Sequence, residues 1–273
     1  MKSILISGCS SGIGQCAALM LHQRGYQVIA TVRRPEDAQP LEQAGIKTLL
    51  MDLNDSASIH KAVEDALSYA GQIDTLFNNA AYGQPGAVED LSRTALEAQF
   101  QTNVIGTQEL TNLVIRQMRQ QGAGRIIYNS SVLGLVAMPY RGAYNASKYA
   151  IEGLADTLRL ELHGTGIYIS LIEPGPILSR FRQNAMKQYQ QHIDKDSSAH
   201  KSVYQAMEAR LTTEGPAAPF TLGPEAVVAK LIKAIESKRP KCRYFVTFPT
   251  YLFATLKRCL PQRLLDMLLR RIL

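Results

Sequence analysis

The chain has 273 residues, of which 46% are hydrophobic, so it can bury the core of an α/β domain and is not a small disulfide-stapled scaffold. Its four cysteines and five histidines show no metal-ligand spacing, so we expect no structural metal and interpret the cysteines as buried thiols in a reducing compartment. The net charge is +7, but nine basic residues and one acidic residue lie after position 237, which argues against a general nucleic-acid role.

Short apolar runs alternate with helical patterns along the first two thirds of the chain. The runs predict strands at 4–6, 27–32, 48–51, 73–77, 125–128 and 167–172. The patterns between them predict helices at 13–24, 35–44, 56–70 (which Asp55 can cap), 94–120 and one carrying Tyr144 that ends near 163. Strands this apolar, without clean alternation, indicate a parallel sheet covered on both faces.

Right-handed crossovers make such a sheet doubly wound, so the predicted fold class is α/β, a three-layered, doubly wound parallel sheet of the Rossmann type. We expect a single domain over 1–273 with a C-terminal helical extension, because no stretch rich in Pro, Gly, Ser or charge suggests a linker. Doubly wound sheets bind ligands beyond the carboxyl ends of their strands, and the motifs below all fall there.

A glycine-rich turn follows the first predicted strand and opens a helix. Its residues are Gly8, Cys9, Ser10, Ser11, Gly12, Ile13 and Gly14. Glycines let the backbone approach a pyrophosphate, and a helix N-terminus offers free N–H groups and the positive end of a dipole. A glycine-rich turn without a ligand is the alternative, but the position directly after a strand favours a phosphate site.

The end of the second predicted strand bears on the type of cofactor. Sites that prefer NAD typically place a carboxylate there for the ribose hydroxyls, whereas this chain has Val32 followed by Arg33 and Arg34. An arginine can bind a 2′-phosphate that a carboxylate would repel, so the pattern favours NADP; the alternative is that both arginines only decorate a surface loop. Asp52, after the third strand, either accepts a hydrogen bond from the adenine amino group or, like Asp55, is a helix cap.

Polar residues also follow the fourth and fifth strands. Asn79 and Ala80 end the fourth strand with small side chains that let the backbone pass close to a ligand. Asn103 lies inside a predicted helix, an unfavourable position for Asn unless its side chain has a partner; an exposed polar residue is the alternative. Ser130 and Ser131 end the fifth strand.

Tyr144 and Lys148 are four residues apart, so on a helix they share one face. The ordinary pKa of a tyrosine is about 10, and a nearby ammonium lowers that pKa toward useful proton exchange. Taken alone, such a pair is often only a solvated helix surface. Beside a nucleotide-binding turn and Ser131, the pair indicates proton-transfer chemistry.

Together these segments resemble the short-chain dehydrogenase/reductase family in its common single-domain branch. The resemblance covers roughly residues 2–179 and rests on the glycine turn, Asn78-Asn79-Ala80, Asn103, Ser131, Tyr144 with Lys148, and Pro174-Gly175. Within the family, the chain is similar to bacterial NADP-dependent aldehyde reductases and to 17β-hydroxysteroid and retinol dehydrogenases. Two departures are minor: Ala81 replaces the usual glycine after Asn-Asn-Ala, and Ser179 stands where a threonine is common.

The resemblance implies reversible hydride transfer between NADP(H) and the carbonyl or alcohol carbon of a small molecule, without a metal. In this interpretation Tyr144 exchanges the proton, Lys148 lowers its pKa and binds ribose, Ser131 polarises the carbonyl, and Asn103 holds a water that links Lys148 to solvent. The implied cofactor-binding residues are Gly8, Ser10, Ser11, Gly12, Ile13, Gly14, Arg33, Asp52, Leu53, Asn79, Ala80, Tyr144, Lys148, Gly175 and Ile177. The resemblance also implies a homo-oligomer, either a dimer or a tetramer.

Residues 177–222 form, by the same resemblance, a mobile lid over the substrate. We expect an irregular polar stretch at 187–198 and a helix near 202–211. Apolar residues at 132–139, beside Ser131, indicate an apolar carbonyl substrate, or else plain core packing. The resemblance implies that this substrate is an aldehyde, a ketone or a steroid- or retinoid-like compound.

The sequence of the tail, residues 244–273, predicts a basic amphipathic helix after Pro261. Its polar side carries Arg263, Asp266 and Arg270, and its apolar side carries Leu264, Leu265, Leu268 and Ile272. We favour packing on the substrate mouth or on a second subunit over peripheral contact with a membrane surface. No apolar run is long enough for a signal peptide or a bilayer-spanning helix, so we expect a cytoplasmic protein.

Other function classes fit parts of the chain. A non-catalytic dinucleotide-sensing protein would keep the fold but should lack the Tyr-Lys pair, which is present here. An interaction protein would act through the basic tail. Sugar-nucleotide epimerases and dehydratases share Tyr-x-x-x-Lys, but they usually have G-x-x-G-x-x-G and a longer substrate domain, and neither is seen in this chain.

Overall fold

A parallel β-sheet forms the centre of the molecule. The computed structural model describes residues 1–272, and in that range the sheet has seven strands in the order β3-β2-β1-β4-β5-β6-β7. The strands are β1 Ser3–Ile6, β2 Gln27–Val32, β3 Lys47–Leu50, β4 Thr75–Asn78, β5 Gly124–Asn129, β6 Ile167–Glu173 and β7 Arg243–Phe245. Each neighbouring pair is parallel. The strand order reverses at β1, where β4 lies on the other side, and this is the switch point at which doubly wound sheets bind ligands.

Helices cover both faces of the sheet. They are α1 Gly12–Gln23, α2 Gln39–Gln43, α3 Ser56–Ala70, α4 Arg93–Phe100, α5 Thr107–Gln121, α6 Gly142–Glu161, α7 Phe181–His192, α8 Lys201–Thr212, α9 Glu225–Glu236, α10 Phe248–Cys259 and α11 Gln262–Leu269. Helices α1, α2 and α9 pack on one face, and α3, α5 and α6 pack on the other. The predicted three-layered, doubly wound α/β fold is thereby confirmed.

The strands are buried on both faces, which explains why they lack polar residues at alternate positions. Ile4 and Ile6 join the core formed with α1 and α9, whereas Leu5, between them, joins the core formed with α3 and α5. The sequence of a strand that lies between two helical layers is therefore a continuous apolar run.

The long helix predicted at 94–120 is interrupted. A π-helical segment, Gln101–Gly106, separates α4 from α5, and Asn103 lies within it. Such widened turns are frequent at functional sites.

The predicted cap of helix α3 is confirmed, since the Asp55 carboxylate accepts a hydrogen bond of 2.9 Å from the N–H of Ala57.

The lid segment is more regular than predicted. The polar stretch at 187–198 is helical up to His192, because Ala185 and Tyr189 of α7 pack against Tyr204 and Met207 of α8. The expected irregular structure is therefore wrong for its first half, whereas the helix expected near 202–211 is present as α8. The apolar residues that pair these two helices are too sparse to produce an obvious helical pattern in the sequence.

Helix α11 packs against the protein with one side only. Leu265 and Leu269 are buried against Val132 and Val136 in the segment after Ser131. Leu264 and Leu268, expected on the same apolar side, are 44% and 45% exposed. Of the predicted apolar side, Leu265 is buried and Ile272 is partly buried against this cluster, whereas packing on a substrate mouth or a second subunit stays a prediction. The last residue of the predicted tail, Leu273, lies outside the described residues. No helix in residues 1–272 has the length and apolarity to cross a bilayer.

The cysteines differ in exposure. Cys9 is buried and Cys16 is half-buried, but Cys242 and Cys259 are exposed. The interpretation of all four as buried thiols is therefore wrong for Cys242, which directly precedes β7, and for Cys259, the last residue of α10.

Candidate active site

The turn between β1 and α1 leaves room for close approach of a ligand. Gly8 and Gly12 have φ of +74° and +58°, a backbone region that side chains disfavour. A Cβ at Gly8 would also lie 2.7 Å from the Cα of Ala80, and one at Gly14 would collide with the carbonyl oxygen of Gly8. The first turn of α1 has no acidic residue, and the hydroxyl of its N-cap residue, Ser11, makes no capping hydrogen bond within residues 1–272. These N–H groups and this hydroxyl are available to an anion.

Asn79 fixes the turn to the end of β4. Its side-chain amide donates to the carbonyl oxygens of Ser7 and Gly8, each at 3.0 Å. The Ser7 hydroxyl in return accepts from the N–H groups of Asn79 and Ala80, at 2.9 and 3.0 Å. The predicted residues Asn79 and Ala80 therefore lie at the site, but the Asn79 side chain is used to shape the glycine turn.

The two arginines after β2 are not equivalent. Arg34 binds Asp37 at 3.0 Å and lies 3.4 Å from Glu36. Arg33 is exposed and, within residues 1–272, has no carboxylate within salt-bridge distance. Arg34 is thus paired with neighbouring carboxylates, whereas the Arg33 guanidinium is available; contact of Arg33 with a cofactor stays a prediction.

Asp52 and Leu53 lie on the loop after β3, beside the π-helical segment. The Asp52 carboxylate accepts from the N–H of Asn54 at 2.9 Å and does not cap α3, since Asp55 does. A Cβ at Gly106 would collide with the carbonyl oxygen of Leu53, so this loop and the π-helical segment touch directly. Sequence reasoning missed Gly106, whose role depends on a contact distant along the chain.

Tyr144 and Lys148 share one face of α6, as predicted. The Lys148 Nζ lies 5.5 Å from the centre of the Tyr144 ring and donates to the carbonyl oxygen of Asn129, at the end of β5, at 2.7 Å. Lys148 is 4% exposed, so its ammonium is held inside the protein. The hydrogen bond joins the helix to the strand whose next residues are Ser130 and Ser131.

Burial, rather than Lys148, dominates the acidity of the Tyr144 phenol. Burial raises the pKa of Tyr144 above its ordinary value, and interaction with the Ser131 hydroxyl lowers it only in part. The expected net lowering of this pKa is therefore wrong for the structure described. Burial also lowers the pKa of Lys148 to about 8, against the opposing charge of Glu152.

Ser131 is oriented by the short 3₁₀ turn that follows it. Its Oγ accepts from the N–H of Leu133 at 3.1 Å, and Ser131 is buried. Because that bond uses a lone pair of the hydroxyl, its proton is left to be donated. Ser130 points elsewhere and donates to Glu152 at 2.5 Å, which agrees with the choice of Ser131 as the residue of the site.

Asn103 has the partners that its position in a helix requires. Its amide exchanges two hydrogen bonds with the backbone of Tyr82, at 2.8 and 3.1 Å, and donates to the Ser147 hydroxyl at 3.2 Å. The alternative of an exposed polar residue is wrong, since Asn103 is 2% exposed. The side chain joins the loop after β4 to α6; its predicted water-holding role stays a prediction.

An aromatic residue that the sequence did not single out lies against the tyrosine. The Phe181 ring, at the start of α7, packs edge-on to the Tyr144 ring with centres 5.2 Å apart. A Cβ at Gly83 would lie 2.7 Å from the Phe181 ring. Nothing in the local sequence of the lid distinguishes Phe181, because the contact joins residues 37 positions apart.

The segment after β6 closes back on the glycine turn. A Cβ at Gly12 would lie 3.0 Å from the Cβ of Ser179, and one at Gly175 would collide with the Thr247 hydroxyl. Ile177 pairs with Leu222, and the N–H of Leu178 donates to the carbonyl oxygen of Leu222 at 2.9 Å. The two ends of the predicted lid therefore meet beside the site.

The donor set fits a nicotinamide dinucleotide. A pyrophosphate can be bound by the glycine turn, by the N–H groups at the start of α1 and by the Ser11 hydroxyl. Arg33 provides a positive charge at the end of β2, and Lys148 provides a second at the reacting end of the site. These groups lie along the carboxyl edge of β1, β2, β4 and β5, as a ligand across the switch point requires.

Residues 2–190 match the family described as short chain dehydrogenase. The chain belongs to this family. It is 42% identical over 270 residues to the uncharacterized oxidoreductase YbbO of Escherichia coli strain K12, covering 98% of this chain and 94% of that protein. It is 32% identical over 257 residues to human 17-beta-hydroxysteroid dehydrogenase type 1, covering 89% of this chain and 77% of that protein. A crystal structure of a short-chain dehydrogenase from Streptomyces avermitilis superposes with a TM-score of 0.79 at 26% identity, covering 98% and 93% of the two chains.

The resemblance inferred from the motifs is thereby confirmed. The protein is an oxidoreductase of the short-chain dehydrogenase family, and a nicotinamide dinucleotide is the cofactor typical of that family. The match ends at residue 190, so α8 to α11 and β7 lie outside it.

Proposed function

We propose that this protein is an NADP(H)-dependent carbonyl reductase for apolar aldehydes, ketones or steroid- or retinoid-like compounds. The observation that carries the proposal is the convergence of Tyr144, Lys148 and Ser131 at the carboxyl end of β5, next to the glycine turn. When bound, the nicotinamide ring supplies a hydride to the carbonyl carbon, or accepts one from the alcohol carbon in the reverse direction.

The protein's own groups act on the carbonyl oxygen. The Tyr144 phenol donates its proton to that oxygen, and the Ser131 hydroxyl donates a hydrogen bond where negative charge develops. The N–H of Leu133 holds the Ser131 oxygen in place for this purpose. Lys148 supplies positive charge beside the phenol and a donor for the ribose of the cofactor.

The acidity of Tyr144 supports reduction as the main direction. Its ordinary pKa of about 10 is raised further by burial, so at neutral pH the phenol is in the protonated form that reduction requires. Alcohol oxidation needs the opposite, a phenolate that accepts a proton, and so is favoured at alkaline pH. A cofactor held by Arg33 through a 2′-phosphate agrees with this direction, since NADPH is the usual reductant.

The surroundings of Tyr144 support an apolar substrate. The Phe181 ring lies against it on the lid side, and the segment after Ser131 carries the apolar residues Val132 and Val136, which pack with Leu265 and Leu269 of α11. The human relative is named as a hydroxysteroid dehydrogenase. The meeting of Ile177 with Leu222 supports the proposal that 177–222 is a lid, because both ends of such a segment must be anchored while its middle moves.

Arg33→Ala should discriminate between the two nicotinamide cofactors. Loss of a charged hydrogen bond to a 2′-phosphate weakens NADPH binding by about 10–100-fold, whereas NADH, which lacks that phosphate, is little affected. The measurement is the dissociation constant of each cofactor by fluorescence titration. Arg34→Ala is the matched control, since Arg34 already binds Asp37. Equal weakening of both cofactors in Arg33→Ala would argue against the 2′-phosphate contact.

The reaction itself is tested by following NADPH oxidation against aldehydes, quinones, retinal and ketosteroids. We expect turnover of apolar carbonyls, with NADH a poorer reductant. Binding of NADPH without turnover of any of them would instead support a non-catalytic dinucleotide-sensing protein. Peripheral membrane contact by α11, interaction through the basic tail and assembly into a homo-oligomer stay predictions.

A further inference from the structure

A cluster of charged side chains lies behind Lys148, on the side away from Tyr144. Its members are Glu152 and Asp156 of α6, Glu173 at the end of β6, and Arg243 of β7. The Arg243 guanidinium lies 2.9 Å from Glu152, 2.7 Å from Asp156 and 3.0 Å from Glu173. Three carboxyl groups thus share one arginine, and two of them are deeply buried: Glu152 is 7% exposed and Glu173 is 0% exposed.

The two buried carboxyl groups are supported unequally. Glu152 accepts hydrogen bonds from the Ser130 hydroxyl at 2.5 Å and from Arg243 at 2.9 Å. Glu173 has no aligned hydrogen bond within residues 1–272, although the Arg243 Nε lies close to it. Burial, and then the charge of Glu152, raise the pKa of Glu173 to about 9. Burial also raises the pKa of Glu152, but the Ser130 hydroxyl and Arg243 lower it, so Glu152 is the member of the coupled pair that its partners hold toward the ionised form.

Glu152 is also the carboxylate that acts on Lys148. The two residues are one helical turn apart on α6, and the charge of Glu152 opposes the lowering of the Lys148 pKa by burial. Lys148 is otherwise faced by the Tyr144 ring and by the carbonyl oxygen of Asn129. Glu152 in turn is faced by Arg243 from β7, Glu173 from β6 and Asp156 from its own helix. The segment after Ser131 closes over it, since a Cβ at Gly134 would lie 3.0 Å from the Glu152 side chain.

We propose that Arg243, on the last strand of the sheet, sets the charge of the active-site lysine through Glu152. By binding Glu152, Arg243 keeps that buried carboxylate ionised, and the carboxylate keeps Lys148 in its ammonium form at neutral pH. Arg243 is thus a positioning residue for the reaction. The inference rests on the proposed function, in which the Lys148 ammonium serves the tyrosine and the cofactor.

A purely architectural role for the cluster makes a different prediction. If Arg243 only joins β7 to α6, loss of any of its ion pairs lowers stability and leaves the pH dependence of the site unchanged. Asp156→Asn separates the two roles, because Asp156 binds the same guanidinium at 2.7 Å but its side chain is 38% exposed.

The experiment compares wild type, Arg243→Met, Glu152→Gln and Asp156→Asn. The readouts, taken from neutral to strongly alkaline pH, are the affinities for NADPH and NADH and the turnover of an accepted carbonyl compound. In wild type both should decline as Lys148 loses its proton near its pKa of about 8. In Arg243→Met and Glu152→Gln we expect this decline to move to lower pH by at least about one unit, as is typical when a close opposite charge is removed. Asp156→Asn should keep the wild-type profile.

Arg243→Lys covers the case in which Arg243→Met does not fold. It retains a positive charge beside Glu152 and should restore the profile toward that of wild type. If all variants share the wild-type profile, or if Asp156→Asn shifts it as far as Glu152→Gln, the proposed role of Arg243 is overturned.

A second measurement needs no turnover. At neutral pH the wild-type protein should show the infrared carbonyl band of a protonated carboxylic acid, and Glu173→Gln should lose that band. If the band instead survived in Glu173→Gln and disappeared in Glu152→Gln, Glu152 would be the carboxyl group that holds the proton, which contradicts the proposal. Because this readout and cofactor binding are independent of catalysis, failure of the proposed reductase activity would be recognised separately.

Discussion

Tyr144→Phe should abolish turnover while leaving cofactor binding intact. The substitution removes the group that we propose donates a proton to the carbonyl oxygen, and general acid catalysis of this kind contributes about 10²–10⁴-fold to a rate. The ring and its edge-on contact with Phe181, at 5.2 Å, are retained, so the shape of the site is kept. The measurement is kcat for carbonyl reduction together with the dissociation constant for NADPH.

The helix offers a matched control for this substitution. Tyr149 lies five residues further on, is 39% exposed, and donates its hydroxyl proton to the carbonyl oxygen of Leu135 at 2.7 Å. Tyr149→Phe also deletes one phenol oxygen from α6, but we expect it to retain turnover. If Tyr144→Phe kept kcat within a few-fold of wild type, Tyr144 would not be the proton donor.

Lys148→Met should inactivate the enzyme and at the same time stabilise its fold. Burial lowers the pKa of Lys148 from its ordinary value of 10.5 to about 8, so the folded protein binds this proton less tightly than the unfolded chain does. At neutral pH, below both values, the buried charge destabilises the fold by at most about 3 kcal/mol, at 1.4 kcal/mol per unit of pKa. Allowing for the hydrogen bond lost at Asn129, which is worth about 1 kcal/mol, we expect the variant to gain about 1–2 kcal/mol.

The pH dependence of the free energy of unfolding should show that the buried Lys148 charge destabilises the fold. Between pH 8 and 10.5 the unfolded chain holds the lysine proton more than the folded protein does, so the free energy of unfolding of wild type should rise with pH in that window. Lys148→Met lacks this group, so its advantage should shrink over the same window. Urea unfolding at neutral and alkaline pH measures both quantities.

Lys61→Met serves as the control, because Lys61 is 75% exposed and pairs only with Asp65 at 3.2 Å. It should change stability little at either pH. A loss of stability in Lys148→Met at neutral pH would show that the ammonium is satisfied inside the protein and would contradict its lowered pKa.

Much of the fold was predictable because its signals are local. The strands of the doubly wound sheet are short continuous apolar runs, and the periodic patterns between them indicate helices. The elements that sequence reasoning missed lack such signals. Strand β7 has only three residues, and α7 extends through a polar stretch because a few apolar side chains meet α8. Whether β7 and α7 form depends on their contacts with residues outside their own segments.

The candidate site follows the same division. Glycine spacing, the four-residue separation of Tyr144 and Lys148, and the missing acid after β2 are properties of adjacent residues, so the sequence alone determined the family and the fold class and predicted the chemistry. Whether Arg33 or Arg34 is available, which side of α11 is buried, and in which direction the pKa of Tyr144 moves were decided by the tertiary structure. The same holds for the sharing of Arg243 among Glu152, Glu173 and Asp156. The physical reason is that burial and charge pairing depend on contacts between residues separated by tens of positions, whereas sequence patterns report mainly on the backbone and on neighbours within one or two turns.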